Sequence, residues 1–257
     1  MAASLVTVLT SVRDRLRLFY WTPKVVTVTL SSITMGHTYQ IDFGKNLKTT
    51  SYTSVDTSAT TVAAAIATNI NLKQENGHFG AMTASSSSGV ITITGGAYDF
   101  ATPTASGTGS GSVAIAVTQE ASDAIFRDVH AVPVFDAANP GSSIRNVPGA
   151  VVFRGRERRS DGSDSISVAE VSVLVLTENK REQFNETALL DSQGLTAIVE
   201  KVKRDLIYRS DTGSSSPPDS VMRWNATGSP GVIQEKGTRA GWIAQEIQFE
   251  VEYLDTV

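Results

Sequence analysis

Four arginines, Arg154, Arg156, Arg158 and Arg159, crowd into one short segment with Glu157 among them. In a strand leading to a turn, alternate side chains share a face, and guanidinium groups so placed suit two-pronged contact with carboxylate or phosphate. The plainer account is a solvated hairpin tip or ion pairs between subunits, where exposed pairs contribute only about 0–1 kcal/mol. Glu246, Gln248, Glu250 and Glu252 share the outer side of the last predicted strand.

The usual catalytic and ligand signatures are absent. His37, His78 and His130 are far apart and lack metal-ligand spacing. There is no G-x-S-x-G elbow. The run Gly107-Thr108-Gly109-Ser110-Gly111 has neither the Lys-Ser/Thr ending nor the following helix of a phosphate loop, and reads as a flexible connection. Asp161 and Asp164 lack the distal Glu of a calcium loop and read as a turn. Asn185-Glu186-Thr187 and Asn225-Ala226-Thr227 fit the glycosylation pattern, which is short and needs a secreted chain. No carboxylate pair stands out for acid–base work. The expectation is therefore no enzyme, no cofactor and no metal.

Composition narrows the classes further. The net charge of −4 gives no footprint for general nucleic-acid binding. With Cys at 0, disulfide frameworks and thiolate metal sites are excluded. Arg13, Asp14, Arg15 and Arg17 interrupt the apolar start, so no signal peptide is expected. No apolar run is long enough for a membrane helix, and a soluble chain is expected.

The elements that position these residues follow from a step in charge density. The 98 residues from Thr22 to Gln119 contain no arginine and only eight charged side chains, whereas the other 159 hold 18 basic and 22 acidic ones. Such a step marks an inserted module, 22–119, within a host made of 1–21 plus 120–257. In the host, Leu5, Val8, Leu9, Val12, Leu16 and Phe19 follow helical spacing over Ser4–Phe19, with Ser4 as N-cap. Strands are predicted at Val147–Arg154 and Ser167–Leu176, a helix at Ser192–Tyr208, and a final strand in which Ile247, Phe249, Val251 and Tyr253 share one side. Ala121–Val129 is compatible with either helix or strand. In the module, Val26, Val28 and Leu30, then Tyr39, Ile41 and Phe43, alternate as strands; a helix is predicted at Ala59–Asn71, and further strands at Ala81–Ser85, Val90–Thr94 and Val113–Val117. The predicted class is α+β: a host with a mainly antiparallel sheet and two helices, interrupted by a β-rich module with one helix.

Two resemblances accompany this organisation. Tyr39-Gln40-Ile41-Asp42-Phe43, Thr50-Ser51-Tyr52-Thr53, the Ala59–Asn71 helix and Val90-Ile91-Thr92-Ile93-Thr94 resemble a small β module found inside many tail and virion proteins of bacteriophages. The host resembles a phage tail terminator, or tail completion protein, in its first amphipathic helix, the Val147–Phe153 and Val168–Leu176 strands, the Leu195–Ile207 helix and the Gln245–Tyr253 strand. The large insertion after the first helix departs from the compact form of that family.

This resemblance implies a homohexameric ring that caps the tail tube, stops elongation and joins the tail to the head-side connector or stopper. Its partners would be further copies of itself, the tube protein and the sheath, with DNA only passing through the lumen and no membrane. Arg154, Arg156, Arg158, Arg159, Glu246, Glu250 and Glu252 would then lie at subunit or tail/neck interfaces. The implied location is the tail–head junction of the virion, after assembly in the host cytoplasm. Two other readings stand beside it: another neck protein, and a carbohydrate-binding adhesin with Tyr39, Tyr52, Tyr98 and Phe100 as a sugar platform.

Overall fold

A computed structural model describes residues 5–43, 49–75, 82–97, 99–109, 111–132, 144–159, 166–178, 194–206, 208–209, 221–228, 233–234 and 242–254. The protein is α+β, with helices and mainly antiparallel strands in several sheets. It divides into two compact units, Met1–Phe19 with Ala124–Val257, and Tyr20–Asp123.

Within Tyr20–Asp123, strand β1 (Tyr20–Thr22) pairs with β9 (Ser122–Ala124). A four-stranded sheet runs in the order β5 (Thr83–Ser87), β6 (Val90–Thr94), β2 (Val25–Ser31), β8 (Ser112–Gln119). A three-stranded sheet runs β4 (Thr50–Thr53), β3 (Thr38–Asp42), β7 (Thr104–Gly107). The period-two pattern of the sequence decides which side is inside: Val26 and Val28 lie opposite Ile93 and Ile91 and are fully buried, while the Thr residues between them are not.

Helix α2 (Ala59–Glu75) inserts Val62, Ile66 and Ile70 into the same core. Its start is built by side chains: Asp56 Oδ1 accepts from Ser58 N at 2.8 Å, and Ser58 Oγ accepts from Thr61 N at 3.2 Å. Farther along, the Asn71 amide acts as a missing strand neighbour for the sheet edge. Its Oδ1 accepts from Ala84 N at 2.8 Å and its Nδ2 donates to Ala84 O at 2.9 Å. Asn71→Ala should lower the unfolding free energy by about 1–3 kcal/mol, because both part-buried Ala84 groups lose their partner. Urea unfolding of the purified variant checks this.

The glycine-rich segment differs from the flexible connection expected over Ala105–Ser112. Ala105–Gly107 belong to β7, paired with Tyr39–Ile41, and Thr108 N donates to Thr38 O at 3.0 Å. The glycines are there because Tyr39 lies against them. A Cβ on Gly107 would come 3.0 Å from the Tyr39 ring, and one on Gly111 would come 2.5 Å from its hydroxyl. Glycine content signals close approach here as well as it signals freedom.

In the other unit, helix α1 (Leu5–Leu16) buries Val8, Leu9, Val12 and Leu16. It stops before Phe19, where turn bonds from Arg17, Leu18 and Phe19 N take over, and Phe19 itself is fully buried. The sheet runs β10 (Asp128–Val132), β11 (Gly149–Arg159), β12 (Ile166–Glu178), β16 (Trp242–Leu254), β14 (Val221–Gly228), β13 (Tyr208–Arg209). A further strand, β15 (Ile233–Gln234), also pairs with β16. β10 is parallel to β11, and the remaining pairs are antiparallel. The Ala121–Val129 segment is thus strand at both ends rather than helix.

α1 packs on β10 and β11. Arg17 Nη2 donates to Val129 O at 3.1 Å, and Ile125 N donates to Phe19 O at 2.9 Å. The opening helix therefore belongs with the second half of the chain. Helix α3 (Leu195–Asp205) packs on β12 and β16 through Leu195, Ile198, Val199 and Val202. Burial, then the charge of Arg204, lower the Lys201 pKa, with Asp205 opposing.

Several expected features lie outside the described residues: the Ser4 cap, the turn at Asp161 and Asp164, His78, Tyr98 and Asn185-Glu186-Thr187.

Candidate functional site

The central strands β12 and β16 run alongside each other without a break from Ile166↔Leu254 to Glu178↔Trp242, and this register decides which side chains share a face. Val171, Val173, Val175, Ile247, Phe249 and Val251 form one set, all buried. Helix α3 packs over these strands.

The alternate set changes character along its length. At one end Leu174, Leu176 and Ala244 join Ile144, Val151 and Phe153 in a small core of their own. Beyond them the same row continues as Glu246, Ser172, Gln248, Glu170, Glu250 and Glu252. Gln248 and Glu170 are exposed, and Glu246, Glu250 and Glu252 are half-buried. Ser172 Oγ donates to Glu246 Oε1 at 2.6 Å, and Gln248 Nε2 reaches the same oxygen at 3.4 Å.

Glu170 lies directly opposite Glu250. Like charges directly opposite one another are destabilising unless other groups compensate them. On the other side of β16, Glu250 is opposite Asn225 and Glu252 opposite Arg223. The sequence reading found Glu246, Glu250 and Glu252 but missed Glu170. Its signal was present, since Glu170 falls between the apolar alternates Ala169 and Val171 in a period-two strand.

The arginine segment is less uniform than a single alternating row. A β-bulge falls between Arg154, opposite Val171, and Glu157, opposite Ala169. Gly155 sits inside it against Glu170, where a Cβ would meet the Glu170 Cβ at 2.8 Å. Arg156 N donates to Glu170 Oε2 at 3.3 Å. Arg154 and Arg156 are exposed, and Arg158 and Arg159 are consecutive strand residues opposite Val168 and Ser167. The bulge thus sets the Arg156 backbone, and not a row of guanidinium groups, against Glu170.

The other candidate groups have structural settings. Tyr39 and Phe100 are buried, and Tyr52 is half-buried against the same core, so these three do not form an open sugar platform. His130 Nε2 contacts Asp128 Oδ1 at 2.7 Å, while Asp128 Oδ2 accepts from Arg145 N at 2.8 Å. Among the described residues, no group of three or more His, Cys, Asp or Glu is placed to hold a metal ion, and no helix is long and apolar enough to cross a membrane.

No family model matches the chain. No curated protein matches it. Among solved structures, one similarity is to the Klebsiella pneumoniae type II secretion system outer membrane complex of PulD, PulS and the PulC HR domain, at 9% identity and a TM-score of 0.10. The alignment covers 91% of this chain and 39% of that one, so the chain spans well under half the length of the protein it is compared with. Likeness at that TM-score carries no argument about fold or function.

Proposed function

We propose that this protein is a structural component of a bacteriophage virion, a ring that caps the tail tube, stops its elongation and joins it to the head connector. The observation that carries the reading is the acidic row on the central strands, Glu170, Glu246, Glu250 and Glu252, on a sheet whose other face is closed by packing. A passage lined with carboxylates repels phosphate and lets DNA through without retaining it. The element order of the host supports the same reading.

A ring forms when one patch meets a different patch on the next copy and the rotation closes. Exposed Arg154 and Arg156 supply cationic groups for that contact, alongside Arg158 and Arg159 in the same strand. In a six-membered ring the partners are the tube protein and the head-side connector. Negative-stain microscopy of purified protein, paired with its mass in solution, tests the reading. Annuli with a central hole and a multiple of the chain mass are expected. A monomer at all concentrations, with no annuli, overturns it.

A further inference from the structure

At one end of the module, a nucleophile and an electrophile are held side by side. Lys24 immediately precedes β2 and is fixed from both flanks: Gly95 N donates to Lys24 O at 2.9 Å, and Gln119 Nε2 donates to Pro23 O at 2.7 Å. The Lys24 side chain is only 8% exposed, and its Nζ lies 6.0 Å from the centre of the Phe100 ring. That ring is seated on Gly95, where a Cβ would approach it to 2.9 Å.

Lys24 Nζ is 3.7 Å from Asp99 Oδ1 and 3.3 Å from Glu120 Oε2. Asp99 Oδ1 is buried and accepts no hydrogen bond among the described residues. Neither ion contact has the ~2.7–2.9 Å length of a charge-assisted hydrogen bond. A buried ammonium and a buried carboxylate oxygen therefore stand together with incomplete compensation, which is costly for an ion pair. Joining them as a neutral amide removes both charges at once.

We propose that Lys24 and Asp99 condense into an intramolecular amide, with Glu120 as the proton carrier. Glu120 is 70% exposed and can exchange protons with water while touching the amine. It takes a proton from the ammonium and passes it to the Asp99 carboxylate, which makes that group an electrophile, and the freed nitrogen, 3.7 Å from Oδ1, attacks Asp99 Cγ. A C–N bond forms, a C–O bond breaks, and the departing oxygen leaves as water. Of the three ammonium hydrogens, one stays on the amide nitrogen and two leave in that water, one of them by way of Glu120. Glu120 ends unchanged, and no oxidant, reductant or cofactor is needed. Phe100 shields the product from hydrolysis.

The bond would tie the start of β2 to the segment after β6, beside the end of β8, across the strands through which the chain enters and leaves the module. This inference does not depend on the ring reading.

The mass of the denatured full-length protein tests it. The expected result is a chain one water lighter than its sequence, with Lys24→Arg and Asp99→Ala at the full sequence mass. Proteolysis should release a branched peptide joining residues 24 and 99, and Glu120→Gln should slow the loss of water at least tenfold. Wild-type protein that keeps its full mass after prolonged incubation overturns the proposal. So does a water loss that persists in Lys24→Arg, which would place the dehydration elsewhere, as at Asp161-Gly162. Water loss in Glu120→Gln at the wild-type rate overturns the role given to Glu120.

Discussion

Tyr39→Ala is expected to lower the unfolding free energy of the Tyr20–Asp123 unit by about 3–5 kcal/mol, a large part of the ~5–15 kcal/mol typical of a domain. Tyr39 is fully buried, and its ring fills the space left by Gly107 and Gly111. Its hydroxyl accepts from Thr34 N at 2.8 Å, so truncation also strands a backbone donor. Tyr39→Phe separates the two effects, because it keeps the ring and removes only the hydroxyl. Its expected loss is about 1–3 kcal/mol. Denaturant melts of the two variants give the comparison. Equal losses would mean that the ring contributes nothing to holding the glycine segment.

The second large effect concerns α1 and the module. Removing residues 21–122 and bridging the gap with two glycines is expected to leave a folded remainder. The chain ends at that gap are already neighbours, since Ile125 N donates to Phe19 O at 2.9 Å. Removing residues 1–19 is expected to unfold the remainder. It takes away Val8, Leu9, Val12, Leu16 and Phe19, all buried, and core truncations of this size cost about 2–5 kcal/mol each. Circular dichroism during heating reads both. A cooperative transition that survives loss of residues 1–19, or one that vanishes on removing the module, would refute the assignment of α1 to the second half of the chain.

Much of the fold was legible because hydrophobic period and burial agree. Val26 and Val28, Ile91 and Ile93, and Ile247 to Tyr253 alternate in sequence and are buried in register. The helix predicted from Ala59 begins there, where Asp56 Oδ1 accepts from Ser58 N and Ser58 Oγ accepts from Thr61 N. β7 was not legible, because its glycines signal freedom until Tyr39 is placed beneath them. The parallel pairing of β10 with β11 was hidden as well, since a strand gives no sign of its neighbour's direction.

The acidic row was partly visible. Three glutamates of β16 alternate in the sequence, but the opposition of Glu170 to Glu250 depends on register between distant segments. The bulge that divides Arg154 from Glu157 had no signal beyond Gly155, whose missing side chain leaves room for Glu170. Lys24, Asp99 and Glu120 are brought together by strand pairing alone, so no linear motif joins them.

The amide of Asn71 has a consequence for the protein's life in a crowd. A serine-rich strand such as Thr83–Ser87, if left open along its outer margin, is a template on which passing chains can stack into fibres. Occupying Ala84 with a side chain from its own helix makes that template unavailable before any other copy arrives. Copies of the chain that meet then find that stretch of edge already taken.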